Sequence, residues 1–344
     1  MDNGQLTMDN AQWTMDNGQW TIDNGQCTMD NGQWALTTLK FRSVINFILI
    51  GICVLAGMLF RRSKTLPPDA HKGINAWIIY LAMPAVSLKY LPHVQWTGNM
   101  ILPALTPIII WLGGWFYSRW YALKSGIDKA TEGALKISAG LSNTGFIGFP
   151  LIMAYFSEKE LGIAIVCDQV SFTLLSTAGV IVAINSSKKQ VLSAGVVLKK
   201  LFRFPPFLAC MAALILPHFI NLSAADPLFD KIATTVGPLA LFSIGLQLKF
   251  DGWRNQWKTL SVALVYKLLI APFLILIIAL LLHQTGIVAK ISIFEAAMPT
   301  VLTAAVIADE YHLNPRLSNQ IIGIGIILSF ATTAVWYLIV QWLL

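Results

Sequence analysis

From Ser43 onward the chain is a succession of apolar runs, each about twenty residues long and so long enough to cross a bilayer as a helix, separated by short polar loops. No feature constrains the fold more. In hydrocarbon a backbone must satisfy its own hydrogen bonds, so such runs become helices packed as a bundle. Ten runs are present: 43–60, 73–91, 99–120, 134–155, 160–184, 205–222, 228–248, 257–283, 290–309 and 318–342. Only 12% of the residues are charged, against about 25% in soluble domains, too few to cover a water-facing globule. A net charge of +7 raises nucleic acid as a partner. In a membrane protein, however, basic cytoplasmic loops explain the excess, and no nucleic-acid partner is expected. The expected fold class is an all-α membrane protein of ten transmembrane helices, its main partner the lipid bilayer.

The cations are unevenly distributed. Seventeen Lys and Arg lie in the odd-numbered loops or at the span ends beside them, and four in or beside the even-numbered ones. This places the odd loops in the cytoplasm and both termini outside. Five spans followed by five mean that a second half repeating the first must sit inverted in the membrane, an architecture of secondary transporters. The expected organisation is a first repeat over 40–184, a basic linker over 185–204 and a second repeat over 205–344. The halves echo each other in their helix breakers: Met83-Pro84 with Gly237-Pro238, and Phe149-Pro150 with Met298-Pro299. A proline in a helix removes one hydrogen bond, and paired interruptions in lipid point to a site near the membrane midplane.

Residues 1–39 stand apart. MDNGQLT, MDNAQWT, MDNGQWT, IDNGQCT and MDNGQW follow one another at a period of seven. Each unit carries the turn signal Asp-Asn-Gly, and its apolar residues lack the three–four spacing of a coiled coil. A low-complexity, disordered tail is expected, with a repetitive binding arm as the alternative. No cleavable signal peptide is apparent, since the segment has neither a basic start nor an apolar core.

Two segments carry the chemistry. Span 4 reads Ser138-Ala-Gly-Leu-Ser-Asn-Thr-Gly-Phe-Ile-Gly-Phe-Pro150. Small residues there let backbones approach closely, and Asn143 and Thr144 offer neutral donors and acceptors beside Gly145. A tightly packed helix crossing with no ligand is the other reading. Span 9 holds Pro299, followed by Thr300 and Thr303, whose hydroxyls bond either to helix carbonyls or to a solute.

These two segments, SAGLSNTGFIGFPL and AMPTVLTAAVIADEYHLNP, resemble the auxin efflux carrier family of secondary transporters, which includes bacterial organic-acid permeases such as those for malate. VGPLALFSIGLQL and YKLLIAPFL resemble it too, and the likeness covers residues 43–344. It implies two inverted five-helix repeats, with helices 4 and 9 broken and crossing at Pro150 and Pro299. It also implies a transport domain moving against a scaffold, with the substrate near the crossing. Carried onto this chain, Asn143 and Pro150 match the span 4 motif and Pro299 the span 9 motif, whereas Thr303 stands where many relatives have Asn.

Buried ionisable groups are costly in a membrane and mark functional sites. Asp168 in span 5 is a candidate proton or cation site, or a carboxyl kept neutral in the bundle. Lys267 in span 8 is its candidate counter-ion, an attractor of anions, or a snorkelling lysine. Glu295 and Asp309 bracket span 9 and are expected to face water. No His or Cys grouping has the spacing of a metal site, and the chain has no phosphate loop, HExxH or GxSxG. No cofactor and no enzymatic activity are expected.

The resulting expectation is a secondary carrier for a small organic anion, binding at Asn143, Thr144, Gly145, Pro150, Pro299, Thr300 and Thr303. Asp168 and Lys267 would couple transport to an ion gradient, with proton and sodium both open. A sodium-coupled or channel-like transporter of another solute, and a membrane receptor, are the alternatives. The compact loops point to a bacterial inner membrane, and a homodimer is one assembly open to such a bundle.

Overall fold

The computed structural model describes residues 14–16, 19–21, 31–94, 96–187, 205–248 and 256–344. Residues 1–49 and 50–344 form separate compact units. In the first, β1 (Thr14–Asp16) pairs antiparallel with β2 (Gln19–Thr21), and helix α1 (Asn31–Ser63) begins inside the last repeat. The remainder of the repeats and most of the 185–204 linker lie outside the described residues.

The second unit is helical. After α1 come α2 (Ala70–Trp77) and α3 (Met83–Tyr90), joined by a π-turn at Ile78–Ala82. Next are α4 (Ile101–Ser125), α5 (Lys129–Gly140) and α6 (Phe149–Tyr155), the last preceded by a π-turn at Thr144–Gly148. Helices α7 (Leu161–Leu174) and α8 (Val180–Ser186) flank a π-turn at Leu175–Gly179. The second half follows with α9 (Pro205–Ile215), α10 (Asp226–Ala233) and α11 (Val236–Gln247). Helices α12 (Trp257–Val265) and α13 (Ala271–Leu281) flank a π-turn at Tyr266–Ile270. Helices α14 (Ile287–Ala296), α15 (Thr303–Glu310) and α16 (Pro315–Leu343) complete the chain.

Among the described residues, six helical runs are long and apolar enough to cross a membrane: Ala70–His93, Gly98–Ser125, Glu158–Ser186, Asp226–Gln247, Trp257–Leu281 and Pro315–Leu343. Two shorter apolar helices run over Thr144–Tyr155 and Pro205–His218. The segments expected as spans 4 and 9 are each cut in two, between α5 and the π-turn before α6, and between α14 and α15.

Prolines explain three of the four π-turns among the described residues. Pro84, Pro150 and Pro272 each lie just beyond the end of one. Proline lacks the N–H that would bond back along the helix, and its ring crowds the carbonyl one turn earlier. Widening that turn lets the next donors find acceptors without breaking the helix. The breakers therefore differ in effect. Pro84 bends a continuous helix, and Pro238 sits in the first turn of α11, where helix N–H groups have no intrahelical partner.

The two cuts satisfy each other. Asn143 N–H donates to the Pro299 carbonyl at 2.7 Å, and Val301 N–H donates to the Leu141 carbonyl at 3.2 Å. Ser142 and Thr300 thus form an isolated antiparallel bridge. The Thr300 hydroxyl donates to the Ser138 carbonyl at 2.6 Å, meeting one acceptor left open where α5 ends. The crossing implied at Pro150 and Pro299 is therefore placed at Leu141–Asn143 and Pro299–Val301. Pro150 lies farther on, inside the helical run to Tyr155, because its missing N–H is absorbed by the π-turn.

Helices α4 and α5 approach through glycine. A Cβ on Gly114 would stand 2.8 Å from the Cα of Gly140, and one on Gly140 would stand 2.7 Å from the Trp111 ring. This close crossing sets the end of α5, and hence the first break, against the middle of α4.

Candidate functional site

At the paired breaks lies a cavity of about 200 Å³ whose polar lining comes from Ser142, Asn143, Thr144, Asp168, Ser171 and Thr303, with Gly145 between them. Its apolar wall includes Met83 and Phe172. Asn143 caps the helical run that follows it: its Oδ1 accepts from Phe146 N–H at 3.2 Å. That contact fixes which end of the amide faces the helix, so Nδ2 points away. Asn143 Nδ2 is buried and has no hydrogen-bond partner. A buried amide nitrogen has two protons to donate, and leaving them unmet costs about 1–3 kcal/mol. Asn143 therefore holds an unmet buried donor and is itself a residue of the cavity wall.

Asp168, on α7, faces the same cavity. The Thr144 hydroxyl donates to its Oδ1 at 2.6 Å. Gly145 makes room for it, since a Cβ there would stand 3.0 Å from that oxygen. Lys267, in the π-turn between α12 and α13, is fully buried. Its ammonium donates to the Ser142 hydroxyl and, at 3.3 Å, to the Ala296 carbonyl. It therefore sits on the last carbonyls of α14, the negative end of a half-helix, and one residue from Asn143. No ion pair within 4 Å links Lys267 with Asp168 among the described residues, and the ammonium is instead held by two neutral acceptors.

The residues singled out from the sequence thus divide. Asn143, Thr144, Gly145 and Thr303 line the cavity. Pro299 and Thr300 hold the two breaks together. Pro150 does neither. Asp309 lines a larger open cleft of about 1040 Å³ with Arg61, Lys64 and His71, which reaches Leu302 and Ala305 beside the second break. At the other end of the α2–α3 run is a second cleft of about 930 Å³. There Lys89 is bonded to Asp230, tying α3 to α10.

Glu295 departs most from expectation. It is 1% exposed, because α14 ends inside the bundle rather than at its rim. Neither of its carboxylate oxygens has a hydrogen-bond partner. The available signal was an acidic residue inside the apolar run ISIFEAAMP. Ser142 also escaped notice, since a serine among glycines reads as packing.

The sequence pattern of the family described as "Membrane transport protein" matches residues 43–337. An uncharacterized transporter of Methanothermobacter thermautotrophicus is 24% identical over 289 residues, 83% of this chain and 94% of that protein. A putative malonate transporter of Rhizobium meliloti is 23% identical over 297 residues, 83% of this chain and 92% of that protein. A probable auxin efflux carrier component 9 of Oryza sativa subsp. japonica is 30% identical over 119 residues, 33% of this chain and 27% of that protein. With apolar helices long enough to cross a membrane, a pair of mutually bonded breaks and a family match spanning both halves, this integral membrane chain belongs to the membrane transport protein family, that of the auxin efflux carriers.

Proposed function

We propose that the chain is a secondary active carrier for a small organic anion, bound at the paired breaks and released by alternating access. The observation that carries this is Asn143, a residue of the cavity wall whose Nδ2 is buried without a hydrogen-bond partner. A carboxylate only accepts hydrogen bonds, so it complements that amide. The Lys267 ammonium, one residue away through Ser142, offsets the negative charge of the Asp168 carboxylate that shares the cavity wall. The helical runs starting at Thr144 and Thr303 open onto the same cavity, and helix N-termini favour anions. The putative malonate transporter among the relatives supports a dicarboxylate over a larger acid.

On this reading the ten apolar segments form two inverted five-helix repeats, the breaks of the fourth and ninth crossing at the site. The bias of cations toward the odd loops supports cytoplasmic odd loops and both termini outside. Similarity to archaeal and bacterial transporters supports a prokaryotic plasma membrane. An ion gradient drives the cycle, no bond of the solute is broken, and a homodimer is the proposed assembly.

The test is counterflow of labelled malonate, malate and indole-3-acetate in proteoliposomes. Saturable counterflow that is lost in Asn143→Ala supports a carrier with its site at the breaks. Flux without counterflow identifies a channel, and no flux of any of these acids removes the organic-anion reading.

A further inference from the structure

One turn of backbone separates two buried carboxyls. The π-turn Thr144–Gly148 is contacted by Asp168 at Gly145 and by Glu295 at Gly148. A Cβ on Gly148 would stand 2.7 Å from both oxygens of Glu295 and 3.0 Å from its carboxyl carbon, so the carboxyl rests flat on the glycine. The two groups are not equivalent. Asp168 accepts the Thr144 hydroxyl at 2.6 Å. Glu295 accepts nothing, from backbone or side chain.

An ionised carboxylate without donors, out of contact with water, is among the most costly groups a bundle can hold. It can be relieved by a neighbouring cation, a bound metal ion or a proton. The groups that bear on it electrostatically are Lys267 from the π-turn between α12 and α13, and Asp168 and Cys167 from α7. Lys267 directs its ammonium to Ser142 and to the Ala296 carbonyl, and no ion pair within 4 Å reaches Glu295 among the described residues. Cys167 donates to the Pro103 carbonyl at 3.2 Å. Asp168 is a like charge, so ionising both carboxyls raises the cost. No group of three acidic, His or Cys side chains that could hold a metal ion occurs among the described residues.

We infer that Glu295 is a proton-binding site of this protein, a neutral carboxylic acid in the packed arrangement described here while its neighbour Asp168 remains the ionised partner of Thr144. Loading is the transfer of a proton from water to a Glu295 oxygen with formation of an O–H bond, and release is the reverse. Two carboxyls whose surroundings pull them apart take different protonation states, and the turn they share also carries Thr144 and Gly145 of the cavity wall. Proton binding at Glu295 and solute binding at Asn143 thus bear on one piece of backbone. The coupling role rests on the carrier reading given above; the protonation of Glu295 does not.

The experiment is infrared difference spectroscopy of the purified full-length protein titrated across pH, for wild type, Glu295→Gln and Gly148→Ala. Uptake with and without an imposed proton gradient is measured alongside. The expected result is a buried carboxylic C=O band in wild type that disappears in Glu295→Gln. Gly148→Ala, whose methyl displaces the carboxyl, shifts the midpoint of that band, and so decides the matter if Glu295→Gln does not fold. Stimulation of uptake by a proton gradient is expected to be lost in Glu295→Gln. A band unchanged in Glu295→Gln and Gly148→Ala overturns the inference. So does a sodium-dependent rise in the melting temperature of wild type that vanishes in Glu295→Gln, which identifies a metal-ion site instead. If the band assigns to Glu295 but no organic acid moves, the proton site stands and the carrier reading falls.

Discussion

The main-chain N–H of Asn143 donates to the carbonyl of Pro299 at 2.7 Å, joining two helix breaks from opposite halves of the chain. With its backbone held there, the Asn143 side chain has a fixed direction. One end of the amide caps the helical run that follows, and the other is buried without a partner. Positioning and recognition thus meet in one residue, and they can be separated by substitution.

Asn143→Ala removes both the cap and the free donor. Loss of a hydrogen bond to a charged solute, at about 1.5–3 kcal/mol, weakens apparent affinity by roughly ten- to a hundredfold. Asn143→Asp keeps an oxygen for the Phe146 N–H but puts an acceptor where the donor stood. It is expected to lose the organic anion as completely as Asn143→Ala while melting closer to wild type. Counterflow and thermal melting in detergent check both. Retained affinity in Asn143→Asp would place the solute elsewhere.

Thr300→Val is expected to lower stability by about 1–3 kcal/mol, because it leaves the buried Ser138 carbonyl without its donor. Thr300→Ser restores the hydroxyl and most of the stability. Equal melting temperatures for the Val and Ser variants would show that the hydroxyl does not hold the break.

Gly114→Ala drives a methyl against the backbone of Gly140. Overpacking of this kind costs about 1–3 kcal/mol. Gly73→Ala, at a site with nothing within 4 Å, is the control and is expected to be neutral or slightly stabilising. The measurement is thermal unfolding of the two variants side by side.

Asp128 caps α5 from outside the spans, accepting Thr131 N–H at 2.7 Å. That backbone bond, with the Thr131 hydroxyl, holds its carboxyl below the usual carboxylate range despite partial burial. A carboxyl whose pKa is lower in the folded state contributes stability above its unfolded pKa and loses it as pH falls through the folded one. Asp128→Ala is therefore expected to cost about 1 kcal/mol at neutral pH, with the gap to wild type closing in acid. A gap constant with pH would show that the cap does not depend on charge.

Much of this arrangement was legible before any coordinates. Apolar runs gave helices because lipid leaves the backbone no alternative. Asn143, Thr144 and Thr303 reached one cavity because polar residues inside such runs have few tolerable places to go. The position of the first break was not legible. Pro150 looked like the breaker, yet a π-turn absorbs a proline locally, whereas the cut at Leu141–Asn143 is sustained by a partner segment distant in sequence. Glu295 was misplaced for the same reason. Its depth depends on α14 stopping inside the bundle, where Pro299 and the pairing of the breaks end the helix.

That pairing also orders the birth of the molecule. Ser138 and Thr300 are 162 residues apart, an interval a ribosome covers in roughly ten to thirty seconds. Until then the first half rests in the bilayer with the Leu141 carbonyl and the Asn143 N–H unanswered. A chain truncated after Ser187 lacks those partners and is expected to be recognised as unfinished and degraded.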